Sequence, residues 1–182
     1  MRLFEISDTG KFMNALLATD SFRDFELSGA QITTFMSFSI DGTWHPSFFS
    51  QGEDRQDEKD SAAGDGMPSG EGGRTADTGH LTGHLTPWKN AAPVIFSLIR
   101  GKNPPLSMKL VLRLMDPQMQ KLVSHTPLSY APDDIKGVFL NISYDQGKVT
   151  CTTGTSLRIF TTDRSLDLLW DDAAEKFLGQ LT

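Results

Sequence analysis

The chain has 182 residues, a formal net charge of −6 and 38% hydrophobic residues. This length suits one domain, 1–182, around a single core, and no apolar run approaches the roughly 20 residues that a membrane helix needs. The single cysteine, Cys151, excludes an intrachain disulfide and with it the class of secreted disulfide scaffolds.

The first predicted element is a short strand over residues 2–6. Its early charges are not those of a signal peptide, so we expect a cytoplasmic protein. Ser7 or Asp8 then caps a helix, because Phe12 and Leu16 recur at helical spacing behind it.

A strand is predicted over residues 32–40, where side chains alternate with period two. Residues 41–42 are Asp-Gly, the strongest short hairpin signal in the chain. The return strand is expected over residues 44–49, at a sheet edge because of Pro46. Phe25 is expected in a connecting segment before this hairpin.

Residues 51–86 form an acidic, Gly- and Ser-rich insert without periodicity. Residues 51–80 alone carry eight acidic and three basic residues, which is five of the six net negative charges. Such a composition cannot offset its ordering entropy by burial, which predicts a flexible insert. His80 and His84 have the spacing of helical metal ligands, but the glycine before each disfavours a helix, so no metal site is expected.

Two helices and a strand are predicted after the insert. Asn90 is expected to cap a helix with Pro93 in its first turn, where proline is tolerated. Alternation over residues 108–114 predicts a strand. A helix then runs from Asp116 to about His125.

The last third is predicted to be rich in strands. Residues 138–144 alternate and lead into a turn at residues 145–147. A return strand is expected over residues 148–153 and a third strand over residues 157–161.

Asp163 or Ser165 caps the final helix, which Gly179 ends. These elements predict an α+β fold, an antiparallel sheet with helices packed on one face. Strand, helix, hairpin and helix follow in this order in both halves. The order suggests two pseudo-repeated halves of about 70 to 80 residues, and it also arises by chance in a domain of this size. The open face of the sheet is the expected binding surface.

No catalytic constellation is found in the sequence. Serine nucleophile elbows, Walker-type loops and dinucleotide glycine fingerprints are absent. Cys151 alternates with Val149 as a core position of a strand and has no base beside it. We therefore expect neither an enzyme nor a bound cofactor.

Basic residues with an aromatic neighbour form the first candidate surface. As cations at a helix C-terminus, Arg100 and Lys102 are stabilised by the macrodipole, which is the structural interpretation. The functional interpretation is a patch for a small anion or nucleic acid. The residues are Trp88, Arg100, Lys102, Lys109 and Arg113.

Hydroxyl residues around Gly154 form the second candidate surface, and they are Thr152, Thr153 and Thr155. With a bend at Gly154 they can line a phosphate or polar-ligand site. The alternative is a solvated strand face, where threonine is favoured.

Five stretches of the sequence carry a family resemblance: KFMN at 11–14, ITTF at 32–35, LIRGK at 98–102 leading to PL at 105–106, FLNI at 139–142 and CTTGTS at 151–156. They resemble an uncharacterised family of proteins from certain Gram-positive bacteria, known only as a domain of unknown function. The resemblance covers most of the chain except the insert and implies no activity.

The segment GKVTCT at 147–152 gives a weaker, fold-level resemblance to TATA-box-binding-protein-like duplicated domains. Because the candidate strands carry mixed charge, the DNA-binding role of those domains does not carry over.

Residues 102–182 carry nine basic and nine acidic residues, a balance that gives no long-range attraction to phosphate backbones. The sequence therefore favours a non-catalytic binding or assembly module that uses the open sheet face, with a protein or peptide partner. The alternative is a nucleic-acid-binding module that uses residues 100–113.

Overall fold

The computed structural model describes residues 1–50, 84–124 and 126–181. The chain divides into two compact units, one of Met1–Thr43 with Leu85–Thr182 and the other of Trp44–His84. Most of the insert predicted to be flexible lies outside the described residues, and so does His80. Thr86, at the end of that predicted insert, is described and belongs to a strand of the first unit.

The first unit is built on one sheet of seven strands, all paired antiparallel. The strand order is β1-β7-β6-β5-β2-β3, and β4 pairs with β2. The strands are β1 (Leu3–Ile6), β2 (Phe25–Thr33), β3 (Ser37–Asp41), β4 (Thr86–Pro87), β5 (Ser107–Leu114), β6 (Ile135–Asp145) and β7 (Lys148–Leu157).

Helices lie between some of these strands and after the last one. Among the described residues, no helix is both long and apolar enough to cross a bilayer. The helices are α1 (Thr9–Ala18), α2 (Ser47–Ser50, in the second unit), α3 (Trp88–Ile99), α4 (Asp116–Val123) and α5 (Ser165–Gly179), with 3₁₀ turns at Asp20–Phe22 and Pro132–Asp134.

The core lies on one face of the sheet. In β5 the side chains of Met108, Leu110 and Leu112 are fully buried, while those between them are exposed or half-buried. The buried residues of α1, α3, α4 and α5 join them in one apolar cluster. The predicted α+β fold, with helices packed on one face of an antiparallel sheet, is therefore confirmed.

Phe22 connects several elements of the core through its ring. Its centroid lies 5.9 Å from that of Phe12, 5.6 Å from that of Phe25 and 5.0 Å from that of Phe177. Phe25, expected in a connecting segment, is the first residue of β2. That expectation was wrong because alternation begins at Phe25, with Leu27 buried next on the same face.

The first hairpin turns at residues 34–36 and not at the Asp-Gly of residues 41–42. A single strand over residues 32–40 is therefore wrong. Ile32 pairs with Phe38, and Ala30 pairs with Ile40. A three-residue turn leaves Ile32 and Phe38 an even number of residues apart, so the alternation passes through the turn unchanged.

The second unit is described at residues 44–50 and 84. The predicted return strand over residues 44–49 is wrong, because α2 begins at Ser47. The backbone N–H of Trp44 donates to the carbonyl of His84 at 2.7 Å, and that of Phe48 donates to His45 at 3.2 Å.

Helix boundaries follow the predicted signals in part. The Asp8 side chain caps α1 by accepting from the N–H of Lys11 at 2.8 Å. The predicted cap of α3 at Asn90 is wrong, because α3 begins at Trp88 and Pro93 lies inside it. The earlier start adds Trp88 to the buried stripe of this helix.

The predicted third strand over residues 157–161 is wrong, because β7 runs without interruption to Leu157. Gly154 does not bend the strand, since it pairs with Phe139 in continuous register. The predicted turn at residues 145–147 is confirmed, and Gln146 and Gly147 have φ of 47° and 86° there.

The structure does not confirm the internal duplication. By element order β1 corresponds to β5, yet β1 pairs with β7 while β5 pairs with β2 and β6. The pairing of the first half is therefore not repeated in the second.

Candidate functional site

The face of the sheet opposite the helices carries the side chains that alternate with the core. We call it the open face. Pairing across β2, β5, β6 and β7 places these residues in adjacent rows. The central ones are Gly29, Gln31, Lys109, Val111, Arg113, Phe139, Asn141, Ser143, Thr150 and Thr152.

The centre of the open face is apolar and its surroundings are polar. Val111 lies opposite Asn141, and Phe139 is the next residue of β6 on the same face. Both apolar side chains are half-buried. The side-chain amide of Asn141 donates to the carbonyl of Thr152 at 3.2 Å. An apolar centre with a polar rim is the usual anatomy of a protein–protein interface.

Arg113 is held on this face by three groups. Its Nε donates to the carbonyl of Lys136 at 3.1 Å, and its terminal nitrogens donate to the carboxylates of Glu26 and Asp116. The guanidinium lies over Gly137, where a Cβ would meet its Nε at 2.6 Å. Because two carboxylates neutralise Arg113, it has a structural role and is not an unpaired cation.

We expect Arg113→Ala to destabilise the fold by about 2 kcal/mol, because Glu26, with 13% side-chain exposure, loses its guanidinium. Arg113→Lys retains the charge but not the planar guanidinium that reaches both carboxylates, and should cost about half as much stability. Urea unfolding measures both. A change below about 0.5 kcal/mol for Arg113→Ala would contradict the structural role.

The other predicted basic residues are divided between two places. Lys109 lies exposed on the open face, four residues before Arg113. Arg100 caps the C-terminus of α3, and exposed Lys102 follows in the connection to β5. Only Lys109 and Arg113 of this predicted cluster therefore lie on the open face.

Trp88 is not part of an exposed surface. It is 2% exposed, and its indole Nε1 donates to the carbonyl of Leu16 at 2.8 Å. The prediction that placed it beside the basic residues was wrong because Trp88 is the first residue of the buried stripe of α3.

The predicted hydroxyl surface is divided by the alternation of β7. Thr152 lies on the open face, whereas Thr153 and Thr155 face the helices. The hydroxyl of buried Thr153 donates to Asp171, and that of Thr155 donates to Asp167. The expectation that these threonines form one surface was therefore wrong, since neighbours in a strand point to opposite faces.

A cavity of about 470 Å³ opens where β7 ends and α5 begins. Its volume lies in the range of small-molecule sites, about 300–1,000 Å³. Polar and apolar groups contribute to its wall. The lining residues are Tyr130, Thr155, Leu157, Ile159, Thr161, Thr162, Asp163, Arg164, Leu166 and Asp167.

Asp163 is one of the two acids that line the cavity. Its carboxylate accepts from the hydroxyl and N–H of Ser129 at 2.7 and 3.2 Å, and from the N–H of Ser165 at 2.8 Å. The hydrogen bonds from Ser129 and Ser165 lower the pKa of Asp163 well below its usual range. Asp163 is therefore ionised at every physiological pH.

The hydroxyl of Tyr130 is buried and has no hydrogen-bond partner among the residues that the structure describes. Burial raises the pKa of Tyr130, and the charges of Asp163 and Asp167 raise it further. Tyr130 therefore stays neutral and can both donate and accept.

The cavity brings together chemistry suited to binding. Among the residues that the structure describes, no histidine or cysteine lines it, and no three metal-ligating residues form a cluster. Cys151 is buried, and desolvation raises its pKa to about 12, so its thiol is a poor nucleophile. Asp163 was predicted only as a cap and Tyr130 was not predicted at all, since no local pattern links two residues from different loops.

A match to a known family covers most of the chain. A family model described as a family of unknown function (DUF5721) matches residues 15–64 and 74–182. No curated protein and no solved structure matches the chain. The predicted resemblance to a domain-of-unknown-function family is confirmed, while the likeness to TATA-box-binding-protein-like domains and the bacterial origin stay predictions.

Proposed function

Since the chain belongs to a family of unknown function (DUF5721), we propose its role from surface chemistry: a non-catalytic module that binds a protein partner through the open face. The observation that carries the proposal is the apolar pair Val111 and Phe139 inside a rim of hydroxyl and amide groups. Removing water from the apolar centre costs little free energy, and the polar rim can form hydrogen bonds with a polypeptide.

The charges of the open face support a protein partner over nucleic acid. Glu26 and Asp116 neutralise Arg113, so Lys109 is the central cation that has no ion pair among the described residues. Tight binding to a phosphate backbone needs several unpaired cations together. A partner surface that is polar and close to neutral fits this face better.

A cytoplasmic location is part of the proposal. It is supported by the single cysteine, which lies buried in β7. The fold therefore does not depend on a disulfide that a reducing compartment would break.

The proposal is tested by a matched pair of variants, Val111→Arg on the open face and Val94→Arg on α3. Val94 is 56% exposed, so its substitution controls for the added charge. Both variants should remain folded by circular dichroism. A partner captured by cross-linking from the source cell lysate should be retained by Val94→Arg and reduced about tenfold or more by Val111→Arg.

Two results would contradict the proposal. One is a partner that Val111→Arg and Val94→Arg bind equally well. The other is binding of DNA or RNA oligonucleotides by the wild type that falls steeply with salt and is lost in Lys109→Glu, which would favour the nucleic-acid alternative.

A further inference from the structure

The cavity at the start of α5 is separate from the open face in chemistry and position. Thr155 faces the helices, and its hydroxyl is already used by Asp167. Leu157, Ile159 and Leu166 supply an apolar wall. A ligand there needs an apolar body and one polar group that complements the charged side.

The charged side carries two carboxylates and one guanidinium. The Nε of Arg164 lies 3.6 Å from a carboxylate oxygen of Asp167, and the Arg164 side chain is 71% exposed. The carboxylate of Asp163 already accepts hydrogen bonds from Ser129 and from the N–H of Ser165 at the start of α5. An anion would face both carboxylates, whereas a cation would face Asp167 after displacing the loosely held Arg164.

Tyr130 adds a feature that suits a cationic group. It lines the cavity. The face of an aromatic ring attracts a cation.

We propose that this cavity binds a small organic amine, with the ammonium group at Asp167 and the apolar body against Leu157, Ile159 and Leu166. Arg164 occupies the carboxylate in the free protein and leaves it when the amine binds. The site does not depend on the protein partner of the open face.

Benzylamine is the probe, with benzyl alcohol and benzoate as neutral and anionic counterparts of the same size. Titration of the ¹⁵N-labelled full chain should shift the amide signals of residues 163–167 with benzylamine. Asp167→Asn keeps an acceptor for the hydroxyl of Thr155. It should weaken the binding of benzylamine about tenfold, which is the usual effect of losing one charge-assisted hydrogen bond. Asp172→Asn, an exposed substitution on the same helix, should leave the affinity unchanged.

The sign of the Arg164 effect decides the ligand class. Arg164→Gln removes the cation that competes for Asp167. It should strengthen benzylamine binding about threefold, which corresponds to the free energy of one exposed ion pair. Loss of binding in Arg164→Gln, tighter binding of benzoate than of benzylamine, or no effect of Asp167→Asn would each overturn the proposal. Absence of benzylamine shifts at residues 163–167 would overturn it too. All four readouts are independent of whether Val111→Arg releases a protein partner.

Discussion

Trp88→Ala is expected to destabilise the first unit by about 4 kcal/mol. Trp88 is 2% exposed and lies in the core cluster with Leu16 and Ile95. The substitution removes a large buried side chain, leaves a cavity, and deprives the carbonyl of Leu16 of its indole donor. Since small domains have a total stability of about 5–15 kcal/mol, much of it would be lost. Urea unfolding followed by far-ultraviolet circular dichroism measures the change.

Two further variants separate the contributions. Trp88→Phe keeps an aromatic ring but not the hydrogen bond to Leu16, and should lose about 1–2 kcal/mol. Phe160→Ala removes an aromatic side chain that is 96% exposed, so its midpoint should stay within about 0.5 kcal/mol of wild type. Equal effects of Trp88→Ala and Phe160→Ala would show that Trp88 is not part of the core.

The fold was predictable wherever burial imposes a period. In β5, Met108, Leu110 and Leu112 alternate with exposed or half-buried residues, and this pattern predicted both the strand and its buried face. The pattern could not locate the first hairpin turn, because the alternation of buried and exposed residues continues in the same phase on both sides of it. An alternating pattern indicates which face of the sheet a residue occupies, but it does not indicate where the chain reverses direction.

The candidate sites were less predictable, because they depend on contacts between distant residues. Arg113 was recognised as basic, but its neutralisation depends on Glu26, which is 87 residues away in sequence. Trp88 was assigned to a surface because the helix was expected to begin two residues later. The cavity joins Tyr130 to the segment of Asp163, and only the folded chain brings them together.

The fold requires Gly42 for a reason other than the predicted hairpin, and this reason gives the second large effect. The Asp-Gly pair predicted a tight turn, yet the chain needs this glycine for a close approach to β2. A Cβ at residue 42 would lie 1.9 Å from the carbonyl oxygen of Leu27 and 2.8 Å from the carbonyl carbon of Ser28. Both are backbone atoms of β2, so no side-chain rotation can relieve the overlap.

Gly42→Ala should therefore move the backbone and destabilise the fold by about 3 kcal/mol, at the upper end of overpacking effects. The same movement should weaken the hydrogen bond from the N–H of Thr86 to the carbonyl of Gly42, 2.7 Å in the wild type. Gly10→Ala is the matched control, since its Cβ would meet only Asp8 Oδ1, at 3.6 Å. A glycine inside α1 lowers helix stability, so this control should be more stable by about 0.5–1 kcal/mol. Opposite shifts of the two thermal midpoints are the expected result, and a Gly42→Ala midpoint at or above wild type would contradict the close approach.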